Sequence, residues 1–359
     1  EFKEEIFASQ FKLTARHLRR LIVNEIGKTP KQILLENRLN SAKKLIGETH
    51  LSITDIAFTV GFSSLRRFNE VFKLRFKMSP SAIRRNKTIE DEGIKILLPY
   101  KLPYDFDGIL HSYQNHRMGN LEWFKDSTML RFVHFNDKVG KIQIKNDPEN
   151  SSIQLSIDFP DPLFIYPIIL KVRALFDLDS DPICVKNTLE KDFEVKKILE
   201  KYPGIRIPTG WDSFEVAIST ILGQLVSIER GRALVADLIE IAGRDSGLSI
   251  DGCSVKLFPT PKQIIESDLT SLKTTSIRKN TLVEFSRAVL DKRISLVSAQ
   301  DVSDFTKKIL SIKGIGPWTA QYMALKVLHD VDMFPTKDLI LARTLDLHPK
   351  EVIEKMSTS

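Results

Sequence analysis

The sequence predicts an α+β chain that is mostly α, in three successive parts: a basic helical block over residues 1–88, a small antiparallel sheet with one helix over 93–176, and a helical remainder over 177–359. Three observations carry this expectation. Apolar residues recur at helical spacing from Phe7 to Arg85, short alternating runs follow from Ile94 to Phe159, and the helical period returns after Pro160 and persists. Charge divides the chain too. Residues 1–90 hold 18 Lys+Arg against 9 Asp+Glu, leaving about −2 of the overall +7 for everything behind them.

In the first part Leu35, Leu39, Ala42 and Ile46 make one apolar stripe on a helix over Lys31 to Gly47. Thr29-Pro30 supplies its cap and first-turn proline, and Gly27 ends the helix before it. Ser52 with Asp55, and Ser79-Pro80, are further helix starts, while Gly61-Phe62 breaks the pattern between Ile53 and Phe76. Two helix-turn-helix candidates result, with outer helices over Thr14–Ile22 and Ser64–Phe76. Leu18, Ile22, Phe68 and Phe72 anchor them inward. Arg16, Arg19, Arg66 and Asn69 are left pointing outward, with Ser64 at the second helix's start, as side chains that read bases and phosphates in two successive major grooves require. An ordinary solvated face is the alternative for either helix alone.

Polar residues Lys87 to Glu92 form a linker. Ile94–Leu98, Met129–Phe135, Lys141–Lys145 and Ile153–Phe159 are the expected strands, with a helix over Asp107–Met118. Beyond them, helices stop at Pro203-Gly204, Gly210, Gly243 and Gly252, and one starts between Pro259 and Pro261.

A composition of 42% hydrophobic and 28% charged residues excludes wholesale disorder. The longest apolar run, Pro162–Leu170, is far short of the ~18 residues of a membrane span, and the N-terminus lacks a secretory pattern, so a cytoplasmic protein with no membrane partner is expected. Cys184 and Cys253 have no metal-ligand spacing, and no metal is expected from them. Residue 1 is Glu, which reads as the start of a fragment.

Residues Leu310 to Tyr322 carry Lys313-Gly314-Ile315-Gly316-Pro317, a tight turn between two helices. Gly314 and Gly316 allow positive φ and close backbone approach, so N–H groups at a helix start can meet a phosphate. Such a helix-hairpin-helix grips DNA backbone generically. Asp338 follows behind Phe334-Pro335-Thr336-Lys337, where it could simply cap a helix. Trp318 and Tyr322 share a helix face, as core or as a stacking wall.

The front block resembles the AraC-family DNA-binding domain through His17-Leu18 with Arg20, Gly27-x-Thr29-Pro30, Arg38-Leu39 with Ala42, Leu51-Ser52-Ile53, Ile56-Ala57, Gly61-Phe62, Phe68, Phe72-Lys73 and Met78-Ser79-Pro80. Lys77 stands where that family usually has glycine, and Glu70 where it has arginine. The hairpin resembles the helix-hairpin-helix DNA glycosylases. Residues 94 to about 347 are similar to 3-methyladenine DNA glycosylase II, AlkA, through Leu102-Pro103-Tyr104-Asp105, Leu175-Phe176-Asp177-Leu178-Asp179 with Asp181-Pro182, Pro203-Gly204 with Arg206 and Pro208, Asp212 to Ser227, and Phe258-Pro259-Thr260-Pro261.

The resemblance implies several roles. Asp338 takes the place of the catalytic aspartate, Trp318 and Tyr322 of the base pocket, and Leu225 of the residue wedged into the duplex; a core leucine is the alternative. Lys313, Gly314, Ile315, Gly316 and Thr319 are the implied DNA-backbone contacts. Trp318 stands where strand-cutting relatives carry a nucleophilic lysine, which implies a hydrolytic, monofunctional glycosylase. No cofactor is implied, apart from a monovalent cation that hairpin carbonyls can hold. The partners the resemblance implies are double-stranded DNA, both a damaged base and a promoter site, and RNA polymerase through the front domain. The arrangement resembles Ada-AlkA fusions, in which a methyl-accepting domain precedes the AraC part and a further C-terminal helix follows. A regulator whose glycosylase part only grips DNA is the rival reading.

Overall fold

The computed structural model describes residues 4–10, 13–49, 51–85, 94–298 and 300–330, together with 332, 333, 335 and 338. The expected linker over Lys87–Glu92, Lys337 and the stretch after Asp338 lie outside the described residues. Contacts divide the chain into two compact units, residues 1–114 with 121–208, and residues 115–120 with 209–359.

In the first unit α1 (Glu4–Gln10), α2 (Ala15–Ile26), α3 (Pro30–Glu48), α4 (Ile53–Thr59), α5 (Leu65–Phe76) and α6 (Pro80–Arg85) make up the basic block. Their starts are set locally. Thr14, Thr29, Ser52 and Ser64 each accept a backbone N–H from the first turn, and Thr29 with Gln32 closes a reciprocal capping box behind Pro30. Lys77, where the AraC family has glycine, ends α5 in the left-handed conformation glycine would favour, at φ 57°. Phe68 and Phe72 are fully buried beneath α5, and the Phe62 ring meets Phe68 edge-on at 5.2 Å. Arg38 of α3 donates to the Gly61 carbonyl at 2.8 Å and ties down the turn between α4 and α5. Gly61 has φ +90°, and a Cβ there would lie 3.0 Å from that guanidinium, so both backbone and space call for glycine.

The same unit holds β1 (Ile94–Pro99), α7 (Phe106–Asn115), β2 (Glu122–Lys125), β3 (Thr128–Phe135), β4 (Lys138–Asp147), β5 (Ser152–Asp158), α8 (Ile165–Leu175), α9 (Pro182–Leu189) and α10 (Phe193–Lys201). The sheet is antiparallel in the order β1-β5-β4-β3-β2. Alternate residues of β4 and β5, among them Ile142, Ile144, Leu155 and Ile157, enter the core. Strand β2 was not expected. Its Glu122 lies opposite Arg131 of β3 and pairs with it in a buried ion pair, so its place depends on a partner across the sheet rather than on its own alternation.

The basic block is docked on this sheet domain. Thr59 of α4 donates to the Pro162 carbonyl at 2.8 Å, and the Ser41 hydroxyl of α3 donates to the Tyr166 hydroxyl at 3.0 Å. Burial lowers the Lys44 ammonium from its ordinary range, with Glu48 opposing the shift and Arg173 adding to it.

The second unit contains α11 (Ser213–Leu222), α12 (Ile228–Ala242), β6 (Asp245–Ile250), β7 (Cys253–Lys256), α13 (Pro261–Glu266), α14 (Ser276–Leu290), α15 (Val302–Leu310) and α16 (Pro317–Val327). Gly252, expected only as a helix stop, sits with Asp251 at positive φ in the turn of the β6–β7 hairpin. Helix α11 is buried along nearly its whole length and packs against α12, α14 and α16.

Candidate base-excision and DNA-binding sites

Helices α15 and α16 are joined by Ser311–Gly316, and the turn is built around Gly314. Its φ is +94°, and a Cβ there would lie 2.1 Å from the Thr281 hydroxyl of α14, which donates to the Lys313 carbonyl at 2.8 Å. Gly316 caps α16 without a side chain and Pro317 follows, so the helix presents its first N–H groups uncapped, at the positive end of its dipole. That is an anion-binding arrangement. The Lys313 side chain is exposed beside it. Two implied contacts are placed differently. The Ile315 side chain is buried and its N–H donates to the Ile312 carbonyl, while Thr319 is 3% exposed and its hydroxyl accepts from Gln224 at 2.8 Å. Any approach of Thr319 to phosphate is therefore through its backbone. A monovalent cation at the turn would have to share the Ile312 and Lys313 carbonyls with these donors.

Trp318, Tyr322 and Lys326 lie one turn apart along α16. The Trp318 and Tyr322 rings stack at 5.2 Å and 24°, both half-buried. Trp318 Nε1 donates to Asp338 Oδ2 at 2.8 Å. The half-buried Asp338 donates its N–H to the Pro335 carbonyl at 2.9 Å. Burial pushes the Tyr322 hydroxyl up, and the Asp338 carboxylate adds to the shift. Lys326 Nζ sits 5.8 Å from the Tyr322 ring centroid, and burial brings its ammonium down to about 8. His329 is lowered by burial and then by Lys326. Sequence reading passed over Lys326, although it continues the four-residue spacing of Trp318 and Tyr322.

Leu225 lies in the loop between α11 and α12, 95% exposed and in the left-handed region at φ 54°. A leucine there gains nothing from the fold and costs about 1–2 kcal/mol of backbone energy. Its neighbour Gln224, also passed over by sequence reading, bonds to Thr319 and accepts Arg278 on its carbonyl.

In the first unit Arg16, Ser64, Arg66 and Asn69 are exposed on α2 and at and along α5. Arg66 bonds Glu70 at 3.1 Å, an exposed pair of little energetic weight that DNA could displace. Arg19 is paired with Glu4, which is 4% exposed, so of the outward residues it is the one committed to a buried acid of α1. Ile22, expected inward, is only partly covered.

Residues 7–86 match the family model for a helix-turn-helix domain, and residues 95–212 that for the AlkA N-terminal domain. The chain joins an AraC-type helix-turn-helix domain to an AlkA-type region. Its AlkA-type part is similar to DNA-3-methyladenine glycosylase 2 of Escherichia coli K12, 26% identical over 71% of this chain and 89% of that one. Both parts align with a probable bifunctional transcriptional activator/DNA repair enzyme AlkA of Mycobacterium tuberculosis, 28% identical over 92% of this chain and 68% of that one. A 3-methyladenine DNA-glycosylase from Archaeoglobus fulgidus shares the fold of the AlkA-type region with a TM-score of 0.62 at 17% identity, over 72% of this chain and 90% of that one.

Proposed function

We propose that the chain is a DNA repair glycosylase that hydrolyses the N-glycosidic bond of alkylated bases such as 3-methyladenine in duplex DNA, joined to a sequence-specific regulator domain of the alkylation response. The observation that carries the chemistry is the Asp338 carboxylate, held by Trp318 Nε1 at 2.8 Å beside the stacked Trp318 and Tyr322 rings. A base alkylated at N3 or N7 leaves as a neutral molecule when its bond to C1′ breaks, and positive charge develops on the sugar. A fixed carboxylate stabilises that charge and orients or deprotonates water. The aromatic faces favour a cationic base by about 0.5–2 kcal/mol.

The hydrolysis is monofunctional in this reading, because Trp318 replaces the amine a strand-cutting relative would use. Leu225 fills the gap left by the extruded nucleotide, while Lys313 and the amides around Gly314, Ile315, Gly316 and Thr319 hold the backbone. Arg16, Ser64, Arg66 and Asn69 read a promoter, with Arg19 contributing only if it leaves Glu4. RNA polymerase contact through residues 1–88 and a cytoplasmic location complete the proposal, with the sheet domain over 93–176 and the glycosylase domain over 177–359.

The test is base release from methylated duplex, scored with alkali-labile abasic sites. Asp338→Asn should abolish release and leave DNA affinity within about threefold, since asparagine can still accept from Trp318. Unchanged release would remove Asp338 as the catalyst, and no release by either protein with binding intact would make the chain a regulator. Borohydride should trap no adduct; a trapped adduct that Lys326→Met abolishes would make Lys326 a nucleophile.

A further inference from the structure

The wedge loop is held from two sides by side chains that no role above uses. Gln224 Nε2 donates to Thr319 Oγ1 at 2.8 Å, inside α16 where Thr319 is 3% exposed. The Gln224 carbonyl accepts from the half-buried Arg278 of α14, whose other nitrogen reaches Thr274 Oγ1 at 2.9 Å. One turn along α14, Thr281 donates to the Lys313 carbonyl of the hairpin at 2.8 Å. Loop, α14 and hairpin are therefore closed into one ring of hydrogen bonds. Thr319 is followed back along α16 by Trp318, which holds Asp338 at 2.8 Å.

Leu225 needs such a support. Its side chain is 95% exposed and makes no packing anchor, and its φ of 54° is a conformation leucine keeps only when its neighbours impose it. Helices α11 and α12 approach each other at the loop's ends, where a Cβ on Gly231 would lie 3.4 Å from the Gly223 Cα. The Gln224 side chain is then the one link in the ring that connects the loop directly to the helix bearing Trp318.

We propose that Gln224 is a positioning residue that registers the wedge loop on α16, so that insertion of Leu225 and presentation of the everted base to Trp318 and Asp338 occur as one step. Thr319 is its partner, and Arg278 fixes the loop backbone so that the amide reaches it. The inference rests on the base-excision reading. Its distinctive consequence is that breaking the Gln224–Thr319 bond impairs eversion and bond cleavage while the backbone grip of the hairpin survives.

Gln224→Met and Thr319→Val remove either side of the bond with little change of volume, and their combination completes a cycle. Two readouts serve: fluorescence of 2-aminopurine at the everted position, and single-turnover base release from methylated duplex under saturating protein. Each single change is expected to lower eversion and release by about tenfold, and Gln224→Met to keep DNA affinity within about threefold. The double variant should be no worse than the poorer single one, and Thr319→Ser should recover most of what Thr319→Val loses. Additive losses, or eversion unchanged in Gln224→Met, overturn the proposal. Should Thr319→Val not fold, Gln224→Met alone still decides through eversion and affinity. A parent chain that everts 2-aminopurine but releases no base refutes the excision reading and leaves the bridge to be judged by eversion. A parent chain that everts nothing refutes both.

Discussion

Replacing Leu225 by glycine should affect fold and function in opposite directions. The leucine is 95% exposed, so its loss removes no buried area, and its φ of 54° is relieved by glycine. That relief is worth about 1–2 kcal/mol. Glycine also frees the unfolded chain, which offsets about 0.4–1 kcal/mol. The net expectation is a stability between unchanged and about 1.6 kcal/mol higher, read from the midpoint of urea unfolding at constant slope. In duplex DNA the same leucine would be buried between bases, worth about 1.5–3 kcal/mol. Its removal should therefore lower single-turnover base release by about 10- to 150-fold. Leu225→Ala separates the two effects, because it loses the wedge and keeps the strain. Destabilisation by more than about 1 kcal/mol in Leu225→Gly would mean that the leucine serves the fold, and unimpaired release would refute the wedge.

Gly314→Ala places a methyl 2.1 Å from Thr281 Oγ1 at a φ of +94°, so affinity for undamaged duplex should fall with the hairpin's geometry; wild-type affinity would show that the turn does not grip DNA. Lys326 has its folded value lowered from 10.5 to about 8, so the unfolded chain binds the extra proton between those values and stability from this group rises with pH across that window. Lys326→Met is accordingly expected to be more stable at pH 7, by at most about 3 kcal/mol, with the rise above pH 8 gone from its melting curves; an unaltered pH profile would place the ammonium in water. Arg16→Ala and Arg66→Ala should each flatten the dependence of affinity on salt by about 0.9 in log-log slope. These point changes test the basic face better than removal of residues 1–90, which would also strip Thr59 and Ser41 from Pro162 and Tyr166.

Much of the helical frame was legible because its signals act within a few residues. Thr29-Pro30, Ser52 and Ser64 start helices where their hydroxyls can accept first-turn amides, and those bonds need nothing from elsewhere. Strand β2 was missed because four residues carry no usable alternation and Glu122 finds its reason in Arg131. The β6–β7 hairpin was missed although Asp251-Gly252 is a hairpin signal, because its flanking strands are short and weakly patterned.

By itself the sequence determined the order of helices and sheet, the basic excess at the front, and the glycine turn of the hairpin, since each follows from local backbone energetics or from composition. Only the tertiary structure decided which polar groups are spent inside the protein. Arg19 is committed to Glu4, Thr319 is turned inward to Gln224, Trp318 is set on Asp338, and Leu225 is left strained in solvent. Burial and partner choice depend on residues far apart along the chain, and a leucine at a core and a leucine at a wedge are written with the same letter.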